Sequence, residues 1–182
     1  PCCRFNHASI GAALALVNEY DIKPNDVAEV TVYHGPTTQF VCEPLSIRQR
    51  PLNTIQSQFS IPWSVANAIL YRKVGIENFT EEAIRDRKIL EMACKVVPKL
   101  LPELGRIRGI EPAIVEIRTK EAKMYNKRCD SIPGSPEAPM SFDEVAVKFR
   151  DCCSYSVKPI AKESVTKVIQ MVGELENITN IG

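Results

Sequence analysis

The chain has 182 residues, 45% hydrophobic and 25% charged, an ordinary globular composition with length enough for a core that needs no disulfide or metal. Its 23 Lys and Arg against 22 Asp and Glu leave a net charge of +1, which excludes charge-driven disorder and any global pull toward nucleic acid or acidic membrane. No apolar run reaches the roughly 18 residues of a bilayer span, so the expectation is a soluble, folded chain without a membrane partner.

In chain order, the first expected element is a helix over Ala8 to Tyr20, where Ile10, Ala13, Leu14 and Val17 recur at helical spacing. Lys23-Pro24-Asn25-Asp26 breaks it, because Pro cannot continue a helix and Asn and Asp favour turns. Residues 28 to 34 alternate, with Ala28, Val30 and Val32 on one face, and predict a half-buried strand that Gly35-Pro36 ends. From Thr37 to Thr54 punctuating residues leave little period, which reads as loop with a short helix near Thr38 to Cys42. Phe59, Trp63, Ala66 and Leu70 then predict a helix over Ile55 to Lys73, with Pro62 in its first turn or kinking it and Gly75 closing it.

Thr80-Glu81-Glu82-Ala83 reads as a capped helix start, and a helix is expected from Arg87 to Leu100 with Ile89, Met92, Ala93 and Val96 inward. Residues 112 to 119 alternate as a strand, with Ala113, Val115 and Ile117 inward, and Ala122 to Asp130 returns as its partner. Ser131 to Ser141 holds three prolines and a glycine, a loop and an internal boundary. Two helices finish the chain. Phe142, Val145, Phe149 and Cys152 share a face in the first, which Ser141 and Glu144 open as a capping box; Ala161, Val165, Val168, Val172 and Leu175 share one in the second. The pattern is that of an α+β fold, a small and mostly antiparallel sheet with helices on one face, followed by two terminal helices that pack elsewhere.

Candidates for chemistry are few. His7 stands where the first helix begins; a neutral imidazole there can act as base or electrophile, and the dipole lowers its pKa, while the plainer account is a polar capping residue. His34 ends a strand and reads as a sheet-edge residue. Cys3 and His7 share a C-x3-H spacing that no second Cys/His pair completes, so no metal site is expected. No phosphate-binding glycine motif or nucleophile elbow occurs, and no cofactor is expected. The basic run Arg118, Lys120, Lys123, Lys127 and Arg128 has only Tyr125 interleaved, which favours a solvated sheet face over nucleic-acid binding.

Seven cysteines, two pairs of them adjacent, favour reduced thiols in the cytoplasm, and a nucleophilic Cys near His7 is a further option beside inert core thiols. The sequons at Asn78 and Asn177 then read as chance matches. Pro1 opens without Met or a targeting signature, which reads as a piece of a longer polypeptide.

Several segments in order resemble the MmgE/PrpD family, which includes 2-methylcitrate dehydratase, cis-aconitate decarboxylase and iminodisuccinate epimerase. They are Pro1-Cys2-Cys3 with His7-Ala8 and Ala12-Ala13-Leu14; Lys23-Pro24-Asn25-Asp26-Val27 with Val30-Thr31-Val32; and Gln58-Phe59-Ser60-Ile61-Pro62 with Val65-Ala66-Asn67-Ala68-Ile69-Leu70. The last is Gly134-Ser135-Pro136-Glu137-Ala138-Pro139 with Lys148-Phe149. The resemblance implies an α+β lid domain over residues 1–137 and a helical segment over residues 138–182 that packs against an N-terminal all-α domain of the same protein. It further implies a cytoplasmic homodimer, a small di- or tricarboxylate as substrate, and proton chemistry without metal or cofactor.

Within the family, 2-methylcitrate dehydratase-like elimination is the leading expectation, with epimerisation or decarboxylation as alternatives; this piece alone would be inactive. His7 falls on the family's lid histidine and is the expected catalytic residue. Arg4, Gln58, Ser60 and Trp63 are the substrate-binding candidates. Trp63 stands where relatives commonly carry a tyrosine, and an indole cannot serve as a phenolic acid. Gln56 and Ser57 replace an Asp-Ala that relatives often show, which leaves the substrate open. Outside the family, the alternative is a non-catalytic α+β ligand-binding or oligomerisation module.

Overall fold

The structure is a computed structural model that describes residues 1–106 and 109–177. Its contacts divide the chain into two compact units, Pro1–Ile132 and Pro133–Gly182.

The first unit is built on a four-stranded sheet of order β2-β1-β3-β4, with β1 Val27–His34, β2 Val96–Leu100, β3 Ala113–Thr119 and β4 Met124–Cys129. β1 pairs parallel with β2 (Val30 opposite Val96) and antiparallel with β3 (Val32 opposite Val115), and β3 pairs antiparallel with β4. The sheet is therefore mixed, within the α+β class expected. Along β3 the side chains alternate as the sequence predicts, with Ala113, Val115 and Ile117 buried. In β1, Val30 and Val32 are fully buried as expected but Ala28 is not; an irregularity between Val27 and Glu29 resets the pleat, so Val27 is buried instead.

The largest departure from the sequence reading is the expected helix over Arg87 to Leu100. It stops at Ala93, giving α5 Arg87–Ala93, and the chain turns through Cys94 and Lys95 into β2. Ile89, Met92, Ala93 and Val96 all point inward, so the apolar positions were legible but the conformation was not. Val96 and Val97 are β-branched, and Pro98 inside a helix costs about 3 kcal/mol. In β2 that proline lies on an edge strand, where a missing N–H is tolerated.

Two helices over the sheet carry the core. α1 (His7–Glu19) packs on β3 and β4, and α4 (Ile61–Tyr71) lies beside it and reaches β2 and α5. Asn6 touches Ser64 at one end of the pair (2.9 Å) and Arg72 touches Asp21 at the other (2.6 Å), so the two helices run in the same direction. The buried stripe of α1 is Ala12, Ala13, Leu16 and Val17; Ile10 and Leu14, expected inward, are only partly buried. Leu16, Val17, Val30, Val32, Trp63 and Ile69 close the core at 0% exposure.

The predicted helix over Ile55 to Lys73 is two helices, α3 (Thr54–Gln58) and α4, with a break at Phe59–Ser60. Asn53 caps α3 and Ser60 caps α4, and Pro62 sits in the first turn of α4 as expected. Phe59 was expected inward and is 40% exposed, because the break turns it out of the helical stripe. Closure falls to Arg72, in the left-handed conformation at φ 53°, rather than to Gly75. Between β1 and α3 the expected short helix is a 3-10 turn at Pro36–Val41, and a further short helix, α2 (Leu45–Gln49), lies in the stretch expected as loop. The Thr80 segment is also a 3-10 turn, Ala83–Arg85, with the Thr80 hydroxyl accepting from the Ala83 N–H at 3.2 Å.

One contact ties the start of the 3-10 turn at Pro36–Val41 to a distant segment. The buried Glu111 carboxylate accepts the N–H groups of Thr37 and Thr38, each at 3.0 Å, and both threonine hydroxyls. These hydrogen bonds outweigh the cost of burial and hold the carboxyl below the usual range. A side chain at Gly35 would fall on this carboxylate, so the residue before the turn must be small.

The basic run carries its own counter-charges. Arg118 pairs with Glu29 (2.7 Å), Lys123 with Glu121 (2.9 Å), Lys127 with Glu19 (2.7 Å) and Arg128 with Asp130 (2.8 Å), all on the exposed surface.

In the second unit the Pro-rich loop makes one bridge between Ser135 and Ala138, and α6 (Phe142–Ser154) and α7 (Lys162–Gly173) follow and pack together. The capping box is present: the Glu144 carboxylate accepts from the Ser141 N–H (2.8 Å), and the Ser141 hydroxyl accepts from the Glu144 N–H (3.2 Å). Ala161, expected within the second helix, is its cap position. Phe142, Val145, Val168 and Val172 remain 44–54% exposed, so these helices bury little of their apolar faces in this chain. Asn78 of the first sequon is buried, and the second sequon runs into Ile178 and Thr179, outside the described residues. Among the described residues no helix is long and apolar enough to cross a membrane.

Candidate active site

The site forms where the start of the chain meets the break between α3 and α4, and Pro62 is the local reason. In a continuous helix the Gln58 carbonyl would accept from the N–H four residues on, but residue 62 is proline and has none. That carbonyl instead accepts the backbone N–H of Cys3 (2.9 Å) and the side-chain amide of Asn6 (3.0 Å). The same amide nitrogen reaches the Ser60 carbonyl (3.3 Å) and the Ser64 hydroxyl (2.9 Å).

Arg4 to Asn6 form a 3-10 turn, closed by the Asn6 N–H on the Cys3 carbonyl (2.9 Å), and it runs directly into α1. His7 is the first residue of α1, half-buried, with its backbone N–H on the Arg4 carbonyl. It is not a cap: no side chain caps α1, and Asn6, which stands at the cap position, spends its amide on the neighbouring helix. Arg4 is exposed and Gln58 half-buried, so charge, imidazole and amide lie on segments stitched together by Cys3 and Asn6.

Two candidates have other duties. Ser60 has no exposed surface; its hydroxyl donates to the Arg48 carbonyl (2.5 Å) and accepts the Trp63 N–H (3.0 Å) as the cap of α4. Trp63 is likewise fully buried, with its indole N–H donating to the Asn78 carbonyl (2.9 Å). Neither of these expected substrate-binding side chains has accessible surface in this chain, and the polar group of each is satisfied within the protein.

An aromatic row flanks the site. Phe5 packs edge-on against Phe40 at 5.3 Å between centroids, and Phe40 lies 6.5 Å from Phe59. Phe40 and Phe59 are 45% and 40% exposed, so the row carries apolar surface. The sequence reading missed the row and missed Asn6. The signal available for Asn6 was indirect: a proline four residues after Gln58 frees a carbonyl that something must satisfy.

The remaining candidates take structural places. His34 lies in β1, a central strand rather than an edge; it is buried with Nδ1 2.9 Å from the Gly35 carbonyl. Burial pushes the Cys2 thiol up, and Cys42 up to about 12, which leaves both poor nucleophiles at neutral pH. Among the described residues no three His, Cys, Asp or Glu side chains gather as a metal-ligand set.

Comparison with known proteins covers nearly the whole chain. Residues 1–174 match the MmgE/PrpD C-terminal domain. The chain is also similar to the cis-aconitate decarboxylase of Homo sapiens, at 22% identity over 162 residues. That alignment covers 89% of this chain and 33% of the relative, so the chain spans about a third of that enzyme's length. With the match to the family domain running through both units, the chain belongs to the MmgE/PrpD family and carries its C-terminal domain.

Proposed function

We propose that the complete protein is a carboxylate lyase needing no cofactor, and that His7 moves the proton. The observation that carries this reading is the placement of half-buried His7 beside exposed Arg4, on a segment fastened to Gln58, in a domain of a family of lyases and related enzymes. His7 removes a proton from the carbon next to a substrate carboxylate; the C–H electrons form a C=C bond, and the hydroxyl on the neighbouring carbon leaves with a proton as water. A histidine suits this step because its pKa lies near working pH, so it can take the proton and return it. Arg4 holds a carboxylate of a di- or tricarboxylate by paired N–H bonds, and Gln58 adds an amide. Ser60 and Trp63 anchor the start of the helix that follows Gln58, through the Arg48 and Asn78 carbonyls.

Decarboxylation is the second reading, favoured by the similarity to cis-aconitate decarboxylase. There the C–C bond to a carboxylate breaks, carbon dioxide leaves, and His7 protonates the carbon left behind. In either case the active unit comprises this domain and an N-terminal all-α domain, as a homodimer in the cytoplasm, and the lone domain does not turn over.

The test is to incubate the full-length protein in deuterium oxide with citrate, 2-methylcitrate, cis-aconitate and iminodisuccinate, following C–H exchange and product by NMR. The expected result is exchange with elimination or decarboxylation on one substrate, lost in His7→Ala. Full activity in His7→Ala would refute the assignment, and no reaction on any of the four would favour the ligand-binding module.

A further inference from the structure

We propose that Asn6 is a positioning residue that sets where His7 and Arg4 stand over the α3–α4 break; this rests on the reading of His7 given above. Asn6 has no exposed surface, and the two N–H groups of its amide nitrogen lie among three acceptors, one N–H being shared: the carbonyls of Gln58 and Ser60 and the Ser64 hydroxyl, at 3.0, 3.3 and 2.9 Å. Those acceptors bracket the break, so one side chain fixes the segment that precedes it and the helix that follows it to the turn that carries His7. The alternative use of Asn6, as the side-chain cap of α1, is not made. Its amide orientation is settled by its partners, since a flip would set its oxygen against two carbonyl oxygens.

The residue type follows from the same geometry. Only a short side chain ending in an N–H donor reaches all three acceptors from this backbone position. Aspartate has the same shape but no donor there, and its carboxylate would face two carbonyl oxygens. Serine is too short, and glutamine would push α1 away from α4. Pro62 completes the device: without its missing N–H, the Gln58 carbonyl would have a helical donor and less need of Asn6. The next residue after this anchor is His7, so a shift of Asn6 is passed to the imidazole through one peptide unit.

The test uses the 182-residue chain, whose two histidines make ring signals simple to assign with a His34→Gln control. Ring 1H–13C spectra are recorded for wild type, Asn6→Asp and Ser64→Ala. The expected result is that the His7 ring signals move to the positions of an unstructured peptide in Asn6→Asp, and part of the way in Ser64→Ala, while those of His34 in β1 stay. A merely structural loss would move both histidines, and unchanged His7 signals in folded Asn6→Asp would overturn the proposal. Should Asn6→Asp fail to fold, Ser64→Ala decides: movement of His7 alone supports the role, and no movement overturns it.

In the full-length protein, Asn6→Asp is expected to slow the isotope exchange described above about 100-fold, the penalty for misplacing a reacting group by about 1 Å, and to raise KM because Arg4 moves with His7. Wild-type exchange in Asn6→Asp would overturn the role of Asn6. Retained exchange in His7→Ala would instead sink the catalytic reading, whatever the ring spectra show.

Discussion

Glu111→Gln is expected to destabilise the first unit at neutral pH and to cost nothing in acid. The wild-type carboxylate accepts four hydrogen bonds, one N–H and one hydroxyl from each of Thr37 and Thr38. A glutamine oxygen serves one threonine, but its NH2 group faces the backbone N–H of the other. If that other is Thr38, the donor is orphaned in a buried place, because Thr38 is 4% exposed. Losing a charge-assisted bond and stranding a buried donor together cost about 3 kcal/mol, which in a chain of this size is roughly 6–12 °C in Tm.

The pH dependence has a definite sign. Folding depresses this carboxyl from its ordinary value of 4.5, so its stabilisation is complete above that pH and is lost as pH falls through the lower folded value. Below it, protonated Glu111 has an O–H where Gln has its NH2, and the gap between wild type and variant closes. Trp63, the one tryptophan and fully buried, reports the unfolding of this unit by fluorescence. Gly35→Ala should reproduce part of the loss, since its Cβ would displace the same carboxylate, and the two effects should not add. A gap equal at neutral and acid pH, or under about 0.5 kcal/mol throughout, would refute the account.

Two further outcomes follow from single groups. Trp63→Phe removes the indole N–H from the Asn78 carbonyl and empties part of the core, and should cost about 2–4 kcal/mol in urea denaturation followed by circular dichroism. A loss below about 0.5 kcal/mol would mean that the hydrogen bond and the packing are replaced. Cys42, buried with its thiol at about 12, should resist iodoacetamide in the native chain near neutral pH, whereas exposed Cys152 is open to attack. Peptide mapping that finds Cys42 alkylated before unfolding would contradict its burial.

What could be read from the sequence was whatever local chemistry decides. Alternation along residues 113 to 119 placed β3 correctly, the Ser141–Glu144 box located α6, and Pro62 fell in a first turn because its ring allows little else. The misreadings lie where a distant partner chose between two local options. Ile89, Met92, Ala93 and Val96 keep the same buried side in a helix or in a helix followed by a strand; the edge of β1 supplies the hydrogen bonds that make 96–100 a strand. The Gln49 amide then donates to the carbonyls of Cys94 (3.2 Å) and Val96 (3.0 Å), a contact spanning 45 and 47 residues that no periodicity encodes.

The candidate site divides along the same line. Arg4 and His7 are adjacent in one turn and were found together, but the group that fastens them to Gln58 comes from Asn6, whose type and position suggest a helix cap. What distinguishes a cap from a clamp is an unsatisfied carbonyl 52 residues away, left open by a proline. Ser60 and Trp63, named in the same stretch of sequence, are buried for the converse reason. A helix that starts at Ile61 takes the Ser60 hydroxyl for the Trp63 N–H, and the indole turns toward Asn78. A break in a helix thus does two jobs here: it consumes the polar side chains that flank it as caps, and it offers its leftover carbonyl to the segment that carries the histidine.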